Sequence, residues 1–278
     1  MSFSGGFTFQ HSGLIATLDY YDIRIDDRIF ISSNFVDAPG SSVIKDFLAA
    51  QGLPGVTSVR YFTNAADTRT KGFDFTARYK LRLASIGDLT LSAGYNRNRT
   101  RLTDVDTTPQ VLTALGVRTP LFDISERTRV EKGQPKDSLL FGVDWAFGPV
   151  DVSVSTKRYG EIEQVAATNQ SAANLAVFGA GSTKFRTLPT EAGLAGNFDV
   201  IQKLEPKWVT DIDVSWDVLQ WLTVTVGANN VFNEYPTRNI RSTATVSGAD
   251  TFGVFPYSEF SPFGWSGAFY YGRISAQF

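Results

Sequence analysis

The chain carries one histidine, His11, and no cysteine. A single imidazole without thiolates or nearby carboxylates cannot build a metal site, and any Ser-His-Asp hydrolase would have to use this same residue. No Gly-x-Ser-x-Gly element accompanies it, so His11 reads as part of a tight turn with Ser12 and Gly13. Asp211, Asp213 and Asp217 bring calcium to mind, but calcium takes six or more converging oxygens. Carboxylates at alternate positions of one strand instead line a polar surface. Gly179-Ala180-Gly181 precedes no strand-to-helix transition and reads as loop flexibility, not as a phosphate cradle. No catalytic residue, metal or cofactor is therefore expected. The remaining chemistry is aromatic. Phe252, Phe255, Tyr257, Phe260, Phe263 and Trp265 crowd one loop, where they either stack on a flat or sugar-like ligand or pack as an aromatic girdle.

The elements that must position these groups are strands. Leu14, Ala16, Leu18 and Tyr20 alternate with polar residues within 14–33, and the apolar phase then shifts to Tyr21, Ile23 and Ile25, which suggests a bulge or an exit from a bilayer. Phe73, Phe75, Ala77 and Tyr79 alternate within 59–83, and Leu89, Leu91, Ala93 and Tyr95 run out into Arg97, Arg99 and Arg101. Leu139, Phe141, Val143, Trp145 and Phe147 form another apolar row, turned by Gly148-Pro149 into Val150, Val152 and Val154. Trp208, Thr210, Ile212, Val214 and Trp216 oppose the aspartate face, and a turn at Leu219-Gln220 leads into Leu222, Val224, Val226 and Ala228. With 3–10 and the end of the chain this makes about nine strands. The last, 263–278, puts Tyr270, Gly272, Ile274, Ala276 and Phe278 on one face. At about 3.3 Å per residue and a tilt near 45° it projects to roughly 37 Å, enough to cross the apolar band of a membrane.

Tight turns alternate with long loops over 34–55, 104–136, 161–206 and 230–262. Ser42 is expected to cap a short helix bearing Val43, Ile44, Phe47 and Leu48 on one face and closed by Gly52. The third loop, rich in small residues, reads as mobile or as a binding loop. Strands this long with such unequal connections are unlike those of a sandwich, and the pattern predicts an all-β antiparallel transmembrane β-barrel segment with short periplasmic turns and long extracellular loops.

Composition agrees. The 278 residues are 42% hydrophobic and 19% charged, with 22 Phe, 10 Tyr and 5 Trp and a formal charge of −2, which excludes a basic nucleic-acid face. No window offers the ~20 apolar residues of a membrane helix, and the first residues resemble no export signal.

The stretch 222–236, with Gly227, Asn230, Phe232, Tyr235 and Pro236, resembles the penultimate segment of TonB-dependent receptors, a strand running into Asn-Leu-Phe-Asp-Lys/Glu-Tyr; Val231 replaces the usual Leu. Asn64 through Gly72-Phe73-Asp74 resembles another of their segments, and the terminal Phe278 matches as well. The resemblance covers essentially the whole chain, 1–278, and implies the carboxy-terminal part of a barrel of about 22 strands, an expected fragment lacking the signal peptide, TonB box and plug. It implies an outer-membrane active transporter of a Gram-negative bacterium, importing a siderophore-iron complex, cobalamin or an oligosaccharide. The implied partners are outer-membrane lipid, the barrel-assembly machinery reading the last strand, the remaining barrel and plug, TonB through the plug, and a small-molecule ligand. A passive porin-like segment and a soluble all-β carbohydrate-binding module are the alternatives.

Overall fold

The computed structural model describes residues 1–37, 40–178, 183–191, 195–240 and 256–277. Strands β1 (Phe3–His11) and β2 (Leu14–Ile31) form a hairpin closed by Ser12 and Gly13 at φ 44° and 85°, a pair of left-handed residues whose twist matches the flanking strands. The chain continues through β3 (Phe35–Val36), helix α1 (Val43–Ala50) and β4 (Ser58–Val59) into β5 (Phe62–Leu83). β6 (Gly87–Val105) is followed by helices α2 (Gln110–Ala114) and α3 (Ile124–Lys132), then by the hairpin β7 (Asp137–Phe147) and β8 (Val150–Tyr159). β9 (Ile162–Gln170), β10 (Phe185–Pro189) and β11 (Phe198–Leu204) come next, and β12 (Lys207–Leu219), β13 (Leu222–Asn229) and β14 (Phe269–Ala276) close the order.

Nine strands make one antiparallel sheet in the order β1-β2-β5-β6-β7-β8-β12-β13-β14. Each pairs with its predecessor in the wall, so the sheet is a meander whose edges are β1 and β14. The register carries the apolar row of every strand onto one face. Leu14, Tyr79, Leu91, Val143, Val154, Ile212, Ala228 and Tyr270 follow one another across eight strands. Nothing among the described residues covers this face: Phe141, Val143, Trp216, Val226 and Ile274 are all more than a third exposed. The opposite face carries Thr90, Asp144, Ser153, Asp213 and Gly227 in another continuous row.

Residues within 129–136, in and after helix α3, face Asn96, Asn98 and Thr100 on the polar side of β6. Phe35, Ile44, Leu48, Ala65, Leu112, Leu121 and Phe122 form the larger buried cluster, and a smaller one gathers Ala166, Phe178 and Val200. The core therefore lies among the loops at one end of the wall, not between two sheets. No helix among the described residues is long and apolar enough to cross a membrane.

Several expectations are corrected. The last strand starts at Phe269, not at 263, because residues 256–265 are taken up by turns that seat on the loops, and Phe278 lies outside the described residues. The third loop is ordered over much of its length: β9, β11 and β10 form a three-stranded antiparallel sheet. Residues 58–59 pair with β3, and the wall strand begins at Phe62. The turn after β12 falls one residue later, because β12 runs through Leu219 with a bulge beside it. The ladder of β2 and β5 is unbroken through Ile25, so the phase change at Tyr21 marks no bulge; the register shifts only between Ile25 and Ile29, around the left-handed Asp27 (φ 52°). Helix α1 forms as expected, but Ser42 does not cap it. Its hydroxyl donates to Asp46, and the Asp37 carboxylate accepts from the amides of Ile44 (2.7 Å) and Lys45 (3.1 Å). At the other end Gly52 (φ 82°) and Leu53 return amides to Ala49 and Leu48, closing a Schellman turn.

Candidate ligand mouth

Helix α3 is the element around which the loop end is built. Asp123 caps it, accepting from the amides of Ser125 (2.9 Å) and Glu126 (3.1 Å). The helix has little apolar surface of its own, and ion pairs to separate segments hold it in place. Glu126, almost fully buried, takes Arg60 Nη2 at 2.5 Å and Arg129 Nη1 at 2.7 Å. Glu163 of β9 takes Lys132 Nζ at 3.3 Å and Arg186 Nη2 of β10 at 2.8 Å. Arg127 pairs with Glu191, and Glu131 accepts the amide of Leu102 on β6 at 2.9 Å.

Burial raises the Glu126 carboxyl above its ordinary range, against the opposing pull of Arg129 and Arg60. Glu163 is also penalised by burial, yet the hydrogen bond from Arg186 and the charge of Lys132 bring it below the ordinary range. The two carboxylates differ in how much of their charge the surroundings compensate.

Two chambers flank α3, and Arg129 borders both. The inner one, about 580 Å³, faces the polar side of the wall, with Asn96, Asn98 and Thr100 of β6, Ser138, Lys157 and Lys136. Burial, and then the neighbouring Lys132, hold the Lys136 ammonium below its usual range. The outer one, about 620 Å³, is bounded by Arg60, Glu126, Gln164, Tyr257, Phe260 and Trp265, among others.

Three of the six sequence-expected loop aromatics thus border one cavity; Phe252 and Phe255 lie outside the described residues. Tyr257 stacks on Tyr235 at 5.8 Å between ring centroids, and the Arg129 guanidinium sits 5.1 Å over the Phe260 ring. Phe263 does not join them, because it stacks on Tyr159 at 5.4 Å. The segment that bears Tyr257 is fixed from below: Asn239 donates its amide to Pro256 O, and Gln164 Nε2 donates to Asn239 Oδ1 at 2.8 Å.

His11 ends β1 in the first turn, far along the chain from this mouth. Asp211 accepts the Asn230 amide at 2.7 Å and Asp217 accepts from Thr223 Oγ1 at 2.6 Å. No group of three or more metal-ligating side chains occurs among the described residues. Tyr270, Gly272, Ile274 and Ala276 share the outward face of β14, opposite Ala228, Val226, Val224 and Leu222.

Sequence reasoning missed α3 and its ion pairs. The spacing Asp123 to Glu126, an N-cap candidate with an acid three residues on, was a usable signal for the helix start. The partners of Glu126 and Glu163 come from distant segments, and no local pattern foretells them.

Known proteins confirm the architecture. The outer membrane transporter YddB from Escherichia coli superposes with a TM-score of 0.57 at 12% identity over 100% of this chain. The FrpB iron transporter from Neisseria meningitidis gives 0.52 at 16% identity, and the copper transporter OprC gives 0.51 at 12%, both again over 100%. The chain spans 31–32% of the length of these three structures. No curated protein matches the sequence significantly. The family profile described as TonB dependent receptor-like, beta-barrel matches residues 1–231. With that match over most of its length and this wall of nine strands, the chain belongs to the TonB-dependent receptor β-barrel family.

Proposed function

We propose that this chain, 1–278, supplies wall and extracellular mouth to an outer-membrane TonB-dependent active transporter that imports a scarce solute: an iron chelate, cobalamin or an oligosaccharide. The observation that carries the reading is the outer chamber, bordered by Tyr257, Phe260 and Trp265 and separated from the inner, wall-facing chamber by α3. Aromatic faces beside charged and amide groups suit a solute with flat apolar and polar parts.

The unpaired edges β1 and β14 call for further strands, since an open edge is not tolerated within the hydrocarbon region of a bilayer. Such strands would close the barrel around a plug seated against the polar face, and the plug would couple to TonB. The outward row Tyr270, Gly272, Ile274 and Ala276, together with the Phe278 that follows in the sequence, is the segment offered to the barrel-assembly machinery. Transport by iron and copper transporters of similar fold is in keeping with this role, and no enzymatic step is assigned. Loops packed over the polar face favour a gated transporter over a passive pore.

The test is ligand affinity of the complete receptor carrying Tyr257→Ala and Trp265→Ala. A loss of about tenfold is expected, of the order of a lost aromatic contact. Unchanged affinity removes both residues as contacts and, with them, the outer chamber as the binding site.

A further inference from the structure

The outer chamber has polar side chains in its wall that the fold itself leaves unused. Gln164, Thr128 and Ser258 all border it, and all three are more than nine-tenths buried, at 7%, 5% and 1% exposure. Gln164 Nε2 donates to Asn239 Oδ1 at 2.8 Å and to Gln202 Oε1 at 3.3 Å, which settles how its amide is turned. Its Oε1 accepts no hydrogen bond among the described residues. Thr128 lies in α3, where a threonine hydroxyl commonly bonds the carbonyl one turn back, yet its Oγ1 enters no hydrogen bond among the described residues. Ser258 Oγ accepts the amide of Phe260 at 3.1 Å, and its own O–H has no acceptor among them. The side-chain atoms that are both unpartnered and sealed from any space lie elsewhere, at Tyr61 Oη, Arg127 Nε and Arg129 Nε. The free atoms of Gln164 and Thr128 are therefore open to the chamber.

Buried polar groups without protein partners call for water or a solute beside them. Their chemistry selects the solute. Gln164 Oε1 only accepts, whereas the hydroxyls of Thr128 and Ser258 can donate, so a matching solute must offer donors and acceptors together. The charges around the chamber are already committed to one another. Arg60 and Arg129 share Glu126, and Lys132 and Arg186 hold Glu163. With Asp123 and Glu259 counted, four acids answer these four bases, so the chamber presents no surplus cation to an anionic chelate. We propose that Gln164, Thr128 and Ser258 determine the specificity of the outer chamber and read the hydroxyl groups of a neutral saccharide, whose ring faces lie against Tyr257 and Trp265. A sugar hydroxyl donates and accepts at once, and the C–H faces of the ring suit an aromatic platform. An anionic chelate offers acceptors only and would set oxygen against oxygen at Gln164. A site built this way rejects solutes without hydroxyls, because its buried groups are then left unpaired. The inference rests on the reading of this chamber as the ligand site, and it selects one of the solute classes left open there.

The experiment uses the complete receptor, purified in detergent. It is screened on an array of neutral oligosaccharides, and isothermal titration then compares the strongest glycan with ferric citrate and cyanocobalamin. That glycan is expected to bind at least tenfold tighter than either. Thr128→Val removes the hydroxyl and keeps the shape, so it should lower glycan affinity about tenfold, while the thermal midpoint of the ligand-free receptor stays the same or rises. Thr128→Ser should retain most of the affinity. Absence of glycan binding, tighter binding of ferric citrate or cyanocobalamin, unchanged glycan affinity in Thr128→Val, or a lower midpoint in that variant overturns the proposal. The comparison on the wild-type receptor stands even if a variant fails to assemble. If ferric citrate or cyanocobalamin binds instead and loses affinity in Tyr257→Ala, the outer chamber remains the ligand site and only the saccharide falls. If a ligand binds and neither Tyr257→Ala nor Trp265→Ala weakens it, the chamber itself falls.

Discussion

Glu126 is a carboxylate shared by Arg60 and Arg129, and its burial sets the cost of losing it. Glu126→Ala leaves two guanidinium groups facing a cavity. A fully buried pair broken this way costs about 3–5 kcal/mol, and about 2 kcal/mol is expected here because both arginines stay over a third exposed. Limited proteolysis should then cut 106–136 faster than in the wild type. Glu163 gives a pH dependence of definite sign. Its folded value lies below the ordinary one, so its contribution is present above about pH 4.3 and is lost as pH falls through the lowered value. Hydrogen exchange of β9 and β10 should accelerate on acidification, and Glu163→Gln should remove most of that acceleration. None of this was legible in the sequence, where Glu126 and Glu163 are ordinary acids in loops. Their roles depend on Arg60 and Arg186, which only the folded loops bring near. The candidate aromatics were legible as a cluster, because they lie within a few residues of one another; the separation of Phe263 from Tyr257 and Phe260 depends on Tyr159 and was not.

At the scale of the elements, helix α1 separates a cap that the sequence suggests from the one that operates. Asp37→Ala should destabilise it by about 1 kcal/mol, whereas Ser42→Ala should change little, since the Ser42 hydroxyl serves only Asp46. Amide exchange across Val43–Ala50 distinguishes the two. The wall strands were readable because a two-residue period extends over many residues, with apolar and polar side chains kept on opposite faces at every step. The short strands of the third loop were not readable, because β9 and β11 are covered on both faces and show no alternation. The same period yields a prediction. Val143→Arg, on the bare face, should cost about 2–4 kcal/mol on folding into a bilayer, while Ser153→Arg, on the polar face, should cost much less. Urea titrations of the complete receptor in lipid vesicles measure both.

At the scale of the whole sheet, the nine strands among the described residues, with β1 and β14 at its edges, make a wall that does not close on itself. Expressed alone, the chain should give no heat-resistant band on gels, and a stable folded band would show that the edges pair without further strands. A second whole-sheet feature concerns how such a wall is put together. Gly72 lies opposite Tyr21 and Gly227 opposite Tyr271, both on the polar face, and a Cβ added at either glycine would come within 2.5 Å of the tyrosine hydroxyl. Each ring needs a vacant place on the neighbouring strand. If β14 slid by two residues along β13, the faces would still match, but Tyr271 would then meet Thr225 or Asn229, whose side chains occupy that place. Polarity alone would accept the slipped strand, and shape refuses it. The tyrosine and glycine pairs act as a key and its slot, which single out one register where the alternation of the faces alone would allow several.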